Sequence, residues 1–324
     1  MHERIDVDSP LWDQATFIGR FRHFAWMSNP INGLVSTQEL ESAKSIVVSY
    51  RTGTEPPGTT QEQVKHAMQL YRSAFHPDTG ELQNIFGRMS FQMPGGMLIT
   101  GAMLQFYRSV PAVVFWQWFN QSFNALVNYT NRNADSPTTT AQLGVAYTSA
   151  TCSALATAIG LRKICERSTS TLIQRFVPFA AVASANCVNI PLMRQNELIN
   201  GIAIYDEQGN RAGTSKLAAK IGISQVVSSR IVMAAPGMLV LPLIMEKMER
   251  KHWFKSRSYL HAPFQVGGVG CFLLVMVPFA CALFPQDAQI SAKQLKSSDP
   301  EAYERLETKY GAEIPQTFFY NKGL

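Results

Sequence analysis

Between Met93 and Phe284 the chain carries five long apolar runs: roughly Met93–Phe119, Gln142–Gly160, Phe176–Met193, Gln225–Met245 and Phe264–Phe284. About 20 residues of helix cross a bilayer core, and the last run meets that length cleanly. The second is rich in Ala, Ser and Thr, so its hydropathy is marginal, yet small residues are what close helix packing in lipid prefers. Arg108 lies inside the first run and Arg230 near the start of the fourth. A charge at such depth is costly unless it is paired or faces a wet cavity. The pattern predicts an all-α, polytopic membrane protein with about five transmembrane helices, a helical N-terminal region and a short helical C-terminal tail. Its divisions are residues 1–92, 93–284 and 285–324.

The flanks follow other rules. Ser36-Thr37-Gln38-Glu39 has capping-box spacing and opens a helix to about Arg51, with Gly53 as its stop. Glu55-Pro56-Pro57-Gly58 reads as a turn. Thr60-Gln61-Glu62-Gln63 opens a second helix that puts Val64, Met68, Tyr71 and Phe75 on one face. Pro77 ends it, because proline disfavours α geometry at His76. In the tail, Asp299 can cap a helix that has Pro300 in its first turn and Gly311 as its stop. Residues 194–224 read as a loop. The aromatic end Phe318-Phe319-Tyr320 reads as a segment docking onto the membrane surface or the bundle.

One polar pattern stands out inside the apolar region. At about 100° per residue, Gln117, Asn120, Asn124, Asn128 and Asn131 fall within roughly an 80° arc of one helix. Carboxamides donate and accept hydrogen bonds without carrying charge. Such a stripe is either a wet seam that holds a polar solute or an amide ladder that glues helices together.

Composition sharpens this picture. Of 324 residues only 16% are charged, against about 25% in ordinary soluble proteins, yet mean hydropathy is −0.04. Polar ends around a membrane core reconcile the two. Net charge is +6 with no basic tract interleaved with aromatics, which leaves a nucleic-acid reading without support. Taking five spans, the N-terminal region and the 161–175 and 246–263 segments share one side with 17 Lys and Arg, against ten on the other. That places the N-terminus on the positive, matrix-like or cytosol-like side. The acidic start, with Glu3, Asp6, Asp8 and Asp13, has neither a signal peptide's apolar core nor a transit peptide's acid-poor composition.

Candidate chemistry is sparse. His76-Pro77-Asp78-Thr79-Gly80-Glu81 contains Asp-Thr-Gly, but aspartic proteases need two such aspartates and this chain has one copy. The local physics is a helix stop and an Asx-type turn with Gly80 at positive φ, either structural or facing a solute as a gate. In Ser184–Gln195, Pro191 frees a carbonyl around Cys187, and Asn186 and Asn189 share a face. Arg194 could attract a carboxylate there, or it could snorkel to the interface beside a packing kink. The five cysteines form no C-x-x-C pair and read as buried small hydrophobes. The six histidines form no ligand pair, and no nucleotide or zinc motif is present. Nothing gives positive evidence for an enzyme, a cofactor or a metal. Two short echoes, Arg88…Pro94-Gly95 with Arg230…Pro236-Gly237 and Val-Pro-Phe-Ala at 177 and 277, hint at the internal repeats of transporters.

Taken together these stretches resemble the sideroflexin family. The likeness rests on His76–Glu81, Asn120–Asn133, Val182–Gln195, Ser229–Ile231 with Ala235–Met238, Leu283–Gln286 and Asn321–Leu324, and spans essentially the whole chain. Pro10–Phe17 and His261–Gln265 look most like one branch of it. The resemblance implies a multi-pass mitochondrial membrane protein, in the inner membrane by preference with the outer as the alternative, without a cleaved presequence and with its N-terminal region facing the matrix. It implies transport of L-serine, with alanine or cysteine as further cargo, to feed one-carbon metabolism. It also implies a tie to iron and haem that would be indirect. The partners are then the amino acid and the membrane lipids. The residues expected at the pathway are Asn120, Asn124, Asn128, Asn186, Asn189 and Arg194, with His76, Asp78 and Thr79 as gate candidates. The competing reading is a membrane scaffold for iron–sulfur or haem assembly.

Overall fold

The computed structural model describes residues 4–77, 79–131, 139–165, 171–311 and 313–323. Helix α1 (Phe17–Met27) is capped by Thr16. Helix α2 (Thr37–Thr52) starts at Ser36, whose side chain accepts from Glu39 N, and stops at Gly53 with φ 75°. Helix α3 (Gln61–Ala74) opens on a full Thr60/Gln63 capping box. Both helices therefore start where the spacing predicts, the first with only the Ser36 half of a capping box and the second with the full box. Their apolar faces meet around Leu40, Val47, Val64 and Met68, all at most 1% exposed, and form the core of the N-terminal region.

The first long apolar run departs from expectation. It breaks at Phe106–Ser109 into α4 (Gln92–Gln105) and α5 (Val110–Thr130). A Cβ on Gly95 would lie 2.7 Å from Phe123 and one on Gly87 2.2 Å from Thr130, while the Phe106 and Trp116 rings stack 6.0 Å apart. Those pairings run antiparallel, so the two helices form a hairpin. The physical cause is local: Arg108 falls in the break, and Ser109 and Pro111 together start a new helix.

Among the described residues, four stretches are long and apolar enough to cross a membrane: Thr140–Ile164, Gln174–Met193, Lys216–Glu249 and Ser258–Ala282. They belong to α6 (Thr140–Cys165), α7 (Thr171–Met193), α9 (Lys216–Glu249) and α11 (His261–Ala282). The short helices α8 (Gln195–Asn200) and α10 (His252–Lys255) sit in the connections. Helix α6 packs on α7, α7 on α9, α9 on α11 and α11 on α4. Small residues allow the close approaches, since a Cβ on Gly101 would lie 2.7 Å from Val266 Cγ2 and one on Gly268 2.6 Å from Leu241.

Residues 194–224, read from sequence as a loop, instead hold the hairpin β1 (Ile202–Tyr205) and β2 (Arg211–Ser215). The tail adds β3 (Asp287–Ser291), α12 (Ala292–Ser298), α13 (Pro300–Tyr310) and β4 (Thr317–Asn321). All four strands pair antiparallel in the order β2-β1-β4-β3. The aromatic end is thus a strand, with Phe318 and Tyr320 at most 1% exposed. Helix α13 lies where Asp299, Pro300 and Gly311 place it. Its Asp299 side chain makes no cap bond to it and instead accepts from Ser215 Oγ (2.7 Å) and Leu217 N (3.0 Å) at the start of α9.

The hairpin changes which ends meet. Arg20 Nε donates to Ala282 O at 2.9 Å and Gln83 Nε2 to Asn131 Oδ1 at 2.8 Å, so the N-terminal region and the tail sit at one end of the bundle. Residues 106–109, 161–165, 171–175 and 246–263 lie at the other. The expectation that the N-terminal region shares a side with the 161–175 and 246–263 segments is overturned, because α4 and α5 return the chain to the end it came from. The Arg-to-Pro-Gly echo is no structural repeat either. Pro94 stands in the first turn of α4, whereas Pro236 lies well inside α9.

Candidate functional site

Helix α5 carries the amide stripe along the bundle. Gln117, Asn120 and Gln121 are buried at 2%, 8% and 3% exposure, while Phe115, Trp118, Phe119 and Leu126 point outward. The stripe changes character along its length. Beside the N-terminal region, Asn131 Nδ2 donates to Gly87 O and Val127 O, both at 3.0 Å, and its Oδ1 accepts from Gln83. Asn84 Nδ2 donates to Thr130 Oγ1 at 2.9 Å. That end is a ladder. At the other, Gln117 Oε1 and Asn120 Nδ2 are buried with no hydrogen-bond partner. Such atoms normally find protein or water partners, and leaving one unsatisfied costs about 1–3 kcal/mol.

Helix α7 brings the second amide set to the same seam. Asn186, Asn189 and Met193 fall on one face, and Asn128 Nδ2 lies 3.8 Å from Met193 Sδ. Asn189 is buried and Asn186 half-buried. Among the described residues no hydrogen bond joins Asn124 or Asn128 to Asn186 or Asn189. Hydroxyls that sequence reasoning did not single out line the neighbouring seams. Ser153 Oγ and Ser184 Oγ are 2.7 Å apart, Thr157 Oγ1 donates to Ser184 Oγ at 3.0 Å, and Ser122 meets the Tyr147 hydroxyl at 3.0 Å. Their signal in the sequence was the Ser/Thr content of the second apolar run.

Past Gln117, at the loop end, the bundle holds a cavity of about 250 Å³ walled by Phe106, Trp116, Val177 and Pro178. Tyr107, Arg108, Gln117, Arg162 and Gln174 supply its polar lining. The depth of Arg108 in an apolar run was the clue to it. Nearby, Arg175 donates to Glu249 and ties α7 to α9.

The other expected residues are placed as follows. Arg194 holds Glu197 through Nε at 2.9 Å and donates through Nη1 to Lys322 O at 2.8 Å. The carboxylate it attracts is therefore one of the chain's own, and the contact latches the tail onto the end of α7. Lys322 is 3% exposed. Burial pushes its ammonium below the ordinary lysine range, with Arg194, Arg20 and Arg230 acting in the same sense. His76 is buried in the turn after α3, its N–H donating to Glu81 O and its carbonyl accepting from Gly80 N, both at 2.9 Å. Gly80 has φ 64° and its carbonyl accepts from Lys44 Nζ at 2.8 Å. Thr79 is exposed, and Asp78 lies outside the described residues. Leu82 leaves the turn by pairing with Phe75 and delivers Gln83 to Asn131. Cys152, Cys187 and Cys271 are on the outer surface of their helices rather than buried, because the small residues around them, not the thiols, fill the helix contacts.

These features define a class: a polytopic helical membrane protein with an uncharged polar seam that opens into a cavity at one end. The chain belongs to the sideroflexin family, whose model, described as Sideroflexins, matches residues 6–324. It is 59% identical over 320 residues to Sideroflexin-2 of Drosophila melanogaster, covering 99% of this chain and 98% of that one. Sideroflexin-2 of Homo sapiens is 54% identical over 319 residues, 98% of each chain. Sideroflexin-1 of Homo sapiens is 52% identical over 322 residues, 99% of this chain and 98% of the other. No solved structure matches.

Proposed function

We propose that the chain is a carrier of small neutral amino acids in a mitochondrial membrane, the inner one by preference, with L-serine as its leading substrate and one-carbon metabolism as its use. The observation that carries this reading is the pair of buried, unpartnered amide atoms on adjacent turns of α5, Gln117 Oε1 and Asn120 Nδ2. A serine molecule offers a carboxylate, an ammonium and a hydroxyl, and carboxamides satisfy all three without a fixed charge to trap them. In this reading Asn120, Asn124 and Asn128 on α5 and Asn186 and Asn189 on α7 line the path. Arg194 acts through its latch on the tail. The turn of His76, Asp78 and Thr79 acts as a gate element through Gln83 and Asn131. Membership in the sideroflexin family supports the transport class, and any effect on iron or haem is indirect.

The test is reconstitution of the purified full-length protein into liposomes with labelled L-serine. Uptake above protein-free liposomes is expected, with a loss of at least tenfold in Asn120→Leu. Uptake that survives Asn120→Leu and the double change Asn186→Ala with Asn189→Ala sinks the path assignment. The bonded end of the stripe, where Gln83, Asn84, Thr130 and Asn131 satisfy one another, favours a second reading, a scaffold for iron–sulfur or haem machinery. No uptake at all by folded protein selects it.

A further inference from the structure

Helix α9 carries a charge that no group of the bundle answers. Arg230 stands inside its membrane-crossing stretch, half-buried, and makes no hydrogen bond or ion pair among the described residues. The cations around it do have partners. Arg20 donates to the carbonyls of Ala282, Gln14 and Ala15, Arg194 engages Glu197 and Lys322 O, and Lys322 Nζ donates to Gly323 O at 3.3 Å. Helices α4, α5, α6, α7 and α11 contain no Asp or Glu. The carboxylates of α9 itself, Glu246 and Glu249, lie sixteen or more residues beyond Arg230, at least about 24 Å along the axis. An unpaired charge at this depth is costly, and such residues face the bundle interior or a wet path and mark where a solute passes.

The register of the helices shows what Arg230 faces. Ile190 on α7 packs with Ile223 and Val226 on α9, and Arg175 reaches Glu249. The two helices therefore run antiparallel, and Arg230 comes level with Asn186. At 3.6 residues per turn Arg230 lies within about 40° of both Ile223 and Val226, on the face that α9 turns to α7. Helix α5 runs parallel to α7, since Val113 packs with Val177 and Ala181 and Asn128 lies beside Met193. That register brings Asn120 to the same level. One layer of the bundle thus holds Arg230, Asn186 and Asn120, whose Nδ2 is buried without a partner, and Gln117 Oε1, equally unpartnered, is one turn away. A guanidinium grips a planar carboxylate through two parallel hydrogen bonds, and a carboxamide oxygen accepts from an ammonium.

We propose that Arg230 is the carboxylate anchor of the solute site: it holds the carboxylate of a small amino acid at the level of Asn120 and Asn186, while Gln117 Oε1 accepts from the ammonium. The proposal deepens the transport reading and rests on it for its use, but binding can be measured without transport. Half-buried rather than sealed, Arg230 is partly screened, so one fixed charge orients the solute without trapping it.

The experiment measures direct binding of labelled L-serine and labelled serinol, which lacks the carboxylate, to full-length protein in nanodiscs of phosphatidylcholine. L-serine is expected to bind saturably and serinol at least tenfold more weakly. In Arg230→Gln the L-serine affinity should fall at least tenfold and its advantage over serinol to less than threefold. A ratio of two affinities does not depend on how much of the protein is folded, so a merely structural arginine would leave it unmoved. An unchanged ratio overturns the proposal, as does the absence of saturable L-serine binding to folded wild-type protein. Loss of L-serine binding when phosphatidylglycerol is added to the nanodisc overturns it in favour of a lipid-headgroup site. Should Arg230→Gln fail to fold, Arg230→Lys keeps the charge without the two-pronged grip. It should weaken L-serine at least threefold and serinol not at all, and equal effects on both overturn the proposal. Liposome uptake separates the two readings. Binding that depends on Arg230 without uptake refutes transport and keeps the site, whereas uptake indifferent to Arg230 refutes the site and keeps transport.

Discussion

Asn120 and Asn131 are the same residue type on one face of one helix, yet their environments ask opposite things of them. Asn131 spends its whole amide on Gly87, Val127 and Gln83. Asn131→Ala should therefore destabilise the junction by about 1–3 kcal/mol, because it strands those partners, seen as a lowered melting temperature. Asn120 leaves Nδ2 unpaired in a buried site. Asn120→Leu, similar in size, should preserve or raise the melting temperature while uptake falls. A stability loss as large as that of Asn131→Ala would make Asn120 structural. His23 sets an acid limit of another kind. Burial, aided by the Arg72 charge, pushes it from 6.5 to about 4, so the fold accommodates the neutral ring. Its contribution is present in full above about pH 6.5 and is lost as pH falls toward 4, where the unfolded chain binds the proton first. The loss reaches about 3 kcal/mol across that window, and His23→Phe should flatten the fall in melting temperature between pH 7 and pH 5.

At the scale of elements, glycines decide how near the helices come. Gly101 lets α4 lie against the backbone of Val266 on α11, where a Cβ would sit 2.9 Å from Val266 Cα. A backbone atom cannot swing away as a side chain can, so Gly101→Ala should force the helices apart at a cost of about 1–3 kcal/mol. Gly144 has nothing near its Cβ position, and Gly144→Ala should be neutral or slightly stabilising. Thermal melts of the two variants check the contrast. Helix α7 shows the other device: it runs through Pro191 to Met193. The missing N–H leaves the Cys187 carbonyl without its helical partner, beside the two amides of the seam.

For the whole molecule, the returning hairpin gives an even number of crossings. The N-terminal region and the C-terminal tail are then expected on one face of the membrane, and the short basic loops on the other. Tags at the two ends should be cleaved or protected together when protease is added to sealed vesicles, with a site placed in 246–263 behaving oppositely. Tags that behave differently from each other would refute the hairpin. Short basic loops weigh most in setting orientation, so the end whose described residues hold nine Lys and Arg against two Glu, not the N-terminal region, should face the positive side.

Local rules sufficed for much of this chain. Caps at Ser36 and Thr60, stops at Gly53 and Gly311 and the crossing helices depend on contacts within a few residues or on simple apolar length, and the sequence by itself determined them. It also placed the amides of α5 on one face. The β1–β2 hairpin was missed, its one local signal being the Gln208-Gly209-Asn210 turn, where Gly209 has φ 79°, and β4 was missed because a strand beside distant β1 and β3 has no local signature. Only the tertiary structure decided that α4 and α5 double back, that Arg194 is occupied by Glu197, and that Gln117 and Asn120 go unpaired while Asn131 does not. Whether a polar group has a partner depends on what other segments bring to it, and periodicity along one helix does not contain that information.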